Sequence, residues 1–174
     1  MNVLKTPRLV LRTLTLSDRA ALCETLRDRE AMYAYEHAFS DREVDEWLAR
    51  QLERYVRDGF GLWAVIRRQD GVFLGQCGLT MQQFGERQVP EIGYLLARRY
   101  WHCGYAAEAA AGCRDYAFDR LGLEEVYSII RENNLPSRRV AVRCGMRMVG
   151  TLVKHYYGME MPHLVYCVRR GEQG

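Results

Sequence analysis

The sequence predicts an α/β fold built on a mixed, largely antiparallel sheet flanked by helices. Three observations predict it. A strand-like segment is followed by two helical ones. Two β-rich runs then meet at Asp70-Gly71, a hairpin signal. Twice further on, an apolar strand feeds a short loop and a helix, the first opening near Gly104 and the second at Asn134. With 174 residues and no repeat, linker or low-complexity stretch, residues 1–174 read as a single domain with room for a substantial core.

Each element follows from local pattern. Residues 8–14 alternate and predict the first strand, with Leu9 and Leu11 on one side. Ser17 is a plausible N-cap for a helix ending at Leu26. The second helix is better marked. Ser40-Asp41-Arg42-Glu43 is a capping box, Val44, Trp47, Leu48, Leu52, Tyr55 and Val56 recur at helical spacing, and Gly59 closes it. Residues 60–68 and 72–81 form the hairpin, 82–88 a polar connection, and 89–96 the next strand. A helix over 105–121 stops at Gly122, and a β-branched and aromatic strand spans 125–131. Asn134 caps a short helix with Pro136 in its first turn and Gly145 at its end. Residues 147–157 and 161–169 complete the chain as a hairpin.

Composition removes several function classes. Hydrophobic content of 48% and charged content of 27% are globular values. No apolar run approaches a membrane span and residues 1–12 carry no signal-peptide core, so a soluble cytoplasmic protein is expected, without a membrane partner. The six cysteines are scattered, with neither Cys-x-x-Cys nor a His at ligand spacing, which argues against a disulfide framework and predicts no metal site. A net charge of +3 is too small and dispersed to announce nucleic acid. Arginine carries nearly all the positive charge, since Lys5 and Lys154 are the only lysines.

The most informative stretch is Glu91-Ile92-Gly93-Tyr94-Leu95-Leu96, followed by Trp101-His102-Cys103-Gly104-Tyr105-Ala106-Ala107. A strand runs into a helix whose first turn is nearly bare of side chains. Opening N–H groups lack intrahelical acceptors and the helix dipole is positive there, so a phosphate can dock. His102, Cys103, Gly104, Tyr105 and Ala106 would present main-chain donors to it, and the same field would favour a thiolate at Cys103.

Joined to Asn134-x-x-Ser137, this stretch resembles the GNAT superfamily of acetyl-CoA-dependent N-acetyltransferases, and within it the branch that acetylates N-termini of ribosomal proteins. Thr6-Pro7-Arg8-Leu9-Val10-Leu11-Arg12 and Gly75-Gln76-Cys77-Gly78-Leu79 extend the resemblance over essentially the whole chain. It departs from that branch at His102, where Gly is usual, and at Cys103, where Lys is usual. The resemblance implies that the strand before the loop and the strand at 125–131 run parallel and splay apart, with the pantetheine arm of acetyl-CoA in the gap. It implies that Leu95 and Leu96 pair through their backbones with pantetheine, that a strand N–H polarises the thioester carbonyl, and that Asn134 reaches pantetheine or a water. Arg138, Arg139 and Arg143 could meet the 3′-phosphate, or form a solvated helix face.

Direct transfer to an amine needs a deprotonated nucleophile, a polarised carbonyl and a stabilised thiolate. Glu91 is the candidate base, five residues before Leu96; its alternative is a half-exposed strand carboxylate. Ser137 is the candidate donor to the thiolate, because the tyrosine common four residues on in the family is Ala141 here. Tyr105, Tyr156, Tyr157 and Tyr166 are substitutes with core packing as the competing role. His37, His155 and His163 show no triad or ligand spacing and read as incidental. The resulting expectation is acetyl transfer from acetyl-CoA to a primary amine, a protein or peptide N-terminal α-amine foremost. The alternatives are a small-molecule acetyltransferase acting on an aminoglycoside, polyamine or amino sugar, and a non-catalytic CoA-binding module. Acceptor contacts are expected from residues 31–40 and 82–88. No assembly signal indicates an oligomeric state.

Overall fold

The computed structural model describes residues 1–156 and 158–172, the side chain of Tyr156 excepted. The elements are β1 (Asn2–Lys5), β2 (Leu9–Arg12), α1 (Arg19–Leu26), α2 (Asp41–Arg57), β3 (Leu62–Arg67), β4 (Phe73–Phe84), β5 (Arg87–Leu96), α3 (Tyr105–Asp119), β6 (Glu125–Arg131), α4 (Leu135–Arg143), β7 (Arg147–Tyr156) and β8 (Met159–Arg169). The strands form one sheet in the order β1-β2-β3-β4-β5-β6-β8-β7. All neighbours are antiparallel except β5 and β6, the parallel pair that the resemblance implies.

Two apolar layers hold helices to opposite faces. α3 lies close because its inward residues are small: Ala109, Ala110, Cys113 and Ala117 are fully buried against Leu9, Leu11, Val65 and Leu79. On the other face Val44 and Leu48 of α2 meet Leu22 and Leu26 of α1 and Ala64 of β3. The capping box forms as predicted: Ser40 Oγ accepts from Glu43 N at 3.3 Å and the Glu43 carboxylate from Ser40 N at 2.8 Å. Val56, expected on the apolar stripe, is instead 89% exposed.

Local corrections have physical reasons. The N-terminal strand is a hairpin, β1 and β2, rather than one run over 8–14. Thr15, and not Ser17, precedes the first helical turn, because the Asp18 carboxylate accepts from Thr15 N at 2.8 Å and is gripped by both Nη atoms of Arg12 at 2.8 and 2.7 Å. The polar connection over 82–88 is mostly strand: β4 continues to Phe84 and β5 begins at Arg87, turning at Gly85 with φ +60°. Four of the six thiols, Cys77, Cys113, Cys144 and Cys167, are buried core residues, and all six are free. No helix among the described residues is long and apolar enough to cross a membrane.

Candidate active site

The parallel pair is joined by main-chain register only at Glu91 and Tyr127. Beyond that point side chains replace the ladder. Ser128 Oγ donates to the Ile92 carbonyl at 2.9 Å, and Ile129 N donates to Glu91 Oε2 at 3.1 Å. The strands therefore part with their polar groups satisfied, toward the ends where α3 and α4 begin. A cavity of about 980 Å³ fills this gap, running from the starts of both helices to a floor beneath α2. Its size and its place between parting parallel strands suit an extended ligand.

One end is built for an anion. His102 and Gly104 both have positive φ, +60° and +80°, which turns the chain sharply into α3. Gly104 is the N-cap and offers no capping side chain, so the first-turn N–H groups are left for a ligand. His102, Gly104, Tyr105, Ala106 and Ala107 lie on the cavity wall. Cys103 does not: its thiol turns to the Trp101 carbonyl at 3.3 Å. Arg8 braces the turn, donating to the Cys103 carbonyl at 3.0 Å and to Glu108 Oε2 at 2.6 Å while its guanidinium covers the Tyr105 ring at 4.5 Å. Trp101 Nε1 ties the loop back to the Leu96 carbonyl at 2.8 Å. Arg139 and Arg143 reach the wall, whereas Arg138 is engaged by Tyr166 Oη and the Glu132 carbonyl.

The middle of the gap carries Tyr94, Leu95, Leu96, Asn134 and Ser137. Asn134 Oδ1 caps α4 through Ser137 N at 3.2 Å and also accepts from Tyr33 Oη at 2.5 Å, which leaves its Nδ2 as the donor side of the amide. Tyr94 Oη donates to the Ser137 carbonyl at 2.6 Å, pinning β5 to α4 across the gap. Burial pushes the Tyr94 phenol well above its ordinary value, so it stays protonated and donating. Ala141 is buried in the same core. Of the tyrosines considered as proton donors, Tyr105 lies on the wall under Arg8 and Tyr166 is buried with its hydroxyl on Arg138, while the side chains of Tyr156 and Tyr157 lie outside the described residues.

The far end holds Glu91. Burial pushes its carboxyl from 4.5 up to about 7, against the opposing pull of Lys154, the Ile129 N–H and Arg54. Around it stand Gly93, Gln76 and Thr80 from the sheet, and Trp47, Arg50 and Arg54 from α2. The segment 33–39 closes the side, and from 82–88 only Gln82 lines the cavity. His37, His155 and His163, which looked incidental, all line this end. Burial lowers the His163 pKa and favours its neutral form.

A carboxylate poised near neutrality, a cavity for an extended ligand and a helix start for its anionic end together fit acyl transfer. Comparison with known proteins agrees: the family profile described as Acetyltransferase (GNAT) domain matches residues 8–147. The chain belongs to the GNAT acetyltransferase family. Bacillus subtilis (strain 168) YkkB, an uncharacterized protein, is 37% identical over 152 residues, covering 87% of this chain and 88% of that one. A GNAT-family acetyltransferase from Bacillus anthracis superposes with a TM-score of 0.83 at 24% identity, over 97% of this chain and 98% of that chain. Mycobacterium smegmatis RimJ, solved with CoA-disulfide, gives 0.76 at 25% identity over 92% and 81%. As a GNAT enzyme the chain is an acetyl-CoA-dependent acyltransferase, and the bare start of α3 fits the pyrophosphate of that cosubstrate.

Several site residues carried no sequence signal of their own. Arg8, Tyr94 and Tyr33 act through partners distant in the chain, and only the resemblance over residues 6–12 and 91–94 drew attention near two of them; Arg54 is held locally by Gln51, and its place beside Glu91 is set by the packing of α2. Gln76 lies in the resembling stretch 75–79 but had no assigned role: its Oε1 accepts from Trp47 Nε1 at 3.0 Å, and because indole is a donor only, this contact orients the amide.

Proposed function

We propose that this enzyme moves the acetyl group from acetyl-CoA directly to the α-amine at the N-terminus of a protein or peptide, in a cytoplasmic setting consistent with its six free thiols. The observation that carries the reading is Glu91, a carboxyl raised to about 7 at the splay point. It is protonated and deprotonated in comparable amounts near neutral pH, the condition that suits a general base. An α-amine has an unperturbed pKa of roughly 8 against roughly 10.4 for lysine, so Glu91 deprotonates it at lower cost. The likeness to RimJ and the Glu91-Ile92-Gly93-Tyr94 strand support the same branch.

In this reading His102, Cys103, Gly104, Tyr105 and Ala106 hold the pyrophosphate through main-chain N–H groups, and Leu95 and Leu96 receive pantetheine with Asn134. Ser137, in the first turn of α4, donates to the departing thiolate. Acceptor ammonium loses one proton to Glu91, the amine attacks the thioester carbon, and the tetrahedral adduct expels the thiolate, which takes up the second proton shed by the nitrogen, so a neutral amide and free CoA thiol form without a covalent enzyme intermediate.

A panel of amines incubated with acetyl-CoA, scored by release of free thiol, tests this. Peptides with Ala, Ser and Met N-termini should be turned over ahead of aminoglycosides and polyamines. CoA binding with no turnover on any amine would instead make the protein a binding module.

A further inference from the structure

We infer that the acceptor carries a carboxylate close to its reactive amine, and that Arg54, assisted by Arg50 and Lys154, recognises that carboxylate. This rests on the N-acetyltransferase reading and adds the class of acceptor.

Charge accounting at the acceptor end is the basis. Three cations line it, Arg50, Arg54 and Lys154, and among the described residues none makes an ion pair. Four carboxylates face the same space, and two are already engaged. Glu43 accepts from Ser40 N at 2.8 Å and meets His37 at 2.7 Å, and Glu46 is paired with Arg42 at 2.8 Å. Glu36 and Glu91 are left, an arrangement for holding an ammonium beside an anion.

Arg54 is the most specifically placed of the cations. Its Nη1 donates to Gln51 Oε1 at 3.2 Å, and Gln51 is fully buried, its oxygen also accepting from Leu62 N at 3.1 Å. A neutral amide thus aims the guanidinium without neutralising it. The nearby Asp58 carboxylate is taken by both Nε and Nη2 of Arg57 at 2.8 and 2.7 Å. Glu91 and Asp58 act on Arg54 only through space, without a direct ion pair, so a half-buried guanidinium keeps donors that an incoming carboxylate can take up by charge-assisted hydrogen bonds. Burial lowers the Arg54 pKa, in keeping with this environment. Beneath lies Gly93, whose missing side chain leaves room beside Glu91 Oε1. Arg50 sits one turn earlier on the same helix face and Lys154 approaches from β7. An α-amine over Glu91 therefore brings a carboxylate on the same or the next residue toward this group.

Two substrate pairs test the idea and separate the sources of the carboxylate. Ala-Glu-amide against Ala-Gln-amide places it on a neighbouring side chain; alanine against alaninamide places it on the amino acid itself. At least one acidic member should exceed its neutral partner in kcat/KM by roughly ten- to a hundredfold, chiefly through KM, as expected for hydrogen bonds to a charged group. Arg54→Gln should bring that ratio near one, with folding checked by thermal melting. Calorimetry on the native protein with CoA, titrating N-acetyl-Ala-Glu-amide against N-acetyl-Ala-Gln-amide and N-acetylalanine against its amide, needs neither a variant nor turnover. Thiol release with no amine would overturn the acetyltransferase reading alone. Equal kcat/KM and equal product affinity within both pairs, preference for the neutral members, or an acid preference that survives in folded Arg54→Gln would overturn this inference.

Discussion

Replacing Glu91 by glutamine should make the protein more stable and nearly inactive at once. The carboxyl rises from 4.5 to about 7, and a tenfold change in proton affinity is worth about 1.4 kcal/mol, so ionised Glu91 costs the fold at most about 3.5 kcal/mol. Because the folded value is the higher one, the unfolded chain releases its proton first as pH rises. The contribution of Glu91 to stability is therefore greatest below about pH 4.5, falls between there and about 7, and is level above. Glutamine keeps an oxygen for Ile129 N but must house two amide protons, so about half the ceiling, roughly 1–2 kcal/mol, should be recovered. For a domain of this size that raises Tm by roughly 3–6 °C at pH 8.5, shrinking toward zero at pH 4. Loss of the base should lower kcat by about 10²–10⁴ at saturating amine. In the native enzyme kcat should climb with pH and level off above an apparent pKa near 7. Scanning calorimetry at the two pH values, with kcat by thiol release, decides. A variant less stable at pH 8.5, or one keeping kcat within about threefold, would refute the base assignment.

Three other outcomes are expected. Gly104→Val meets a φ of +80° and a Cβ contact with Arg8 Nη2 at 3.3 Å, so a folded variant should bind acetyl-CoA far more weakly by calorimetry; unchanged affinity would move the pyrophosphate elsewhere. Ser137→Ala should lower kcat about ten- to a hundredfold with less effect on KM for acetyl-CoA, since its hydrogen bond strengthens as the thiolate forms; full kcat would reduce Ser137 to a helix-start residue. Ser40→Ala removes the capping oxygen of α2 and should lower stability by about 1 kcal/mol in urea unfolding without altering the cofactor site.

What could be read from the sequence follows the range of the interactions. The capping box at Ser40, the Gly104 turn and the Asn134 cap are decided within a few residues, and each appears where local chemistry put it. The hairpin at 82–88 carries no strand pattern because Gln82, Gln83, Arg87 and Gln88 extend the strands beyond the core, with Glu86 in the turn between them, where apolar alternation has no reason to persist. β1 leaves no pattern of its own in the sequence because it has four residues and draws its order from β2. Tertiary contacts were beyond reach. Arg8 meets Glu108 across 100 residues, Tyr33 meets Asn134 across 101, and Tyr94 meets Ser137 across 43. The three histidines look unrelated along the chain, yet the loop before α2, β7 and β8 bring them to one wall. Glu91 was visible as a carboxyl on the cofactor strand, but its desolvation and its bond to Ile129 belong to the splay itself.

The most direct test of direct acetyl transfer to an α-amine uses one peptide carrying both a free N-terminus and an internal lysine. It is incubated with acetyl-CoA and native enzyme near neutral pH and mapped by fragment mass spectrometry. The acetyl group should reside on the N-terminal residue, with the lysine side chain essentially unmodified. Acetyl groups found chiefly on the lysine, or a peptide left unmodified beside an enzyme that binds acetyl-CoA, would contradict it.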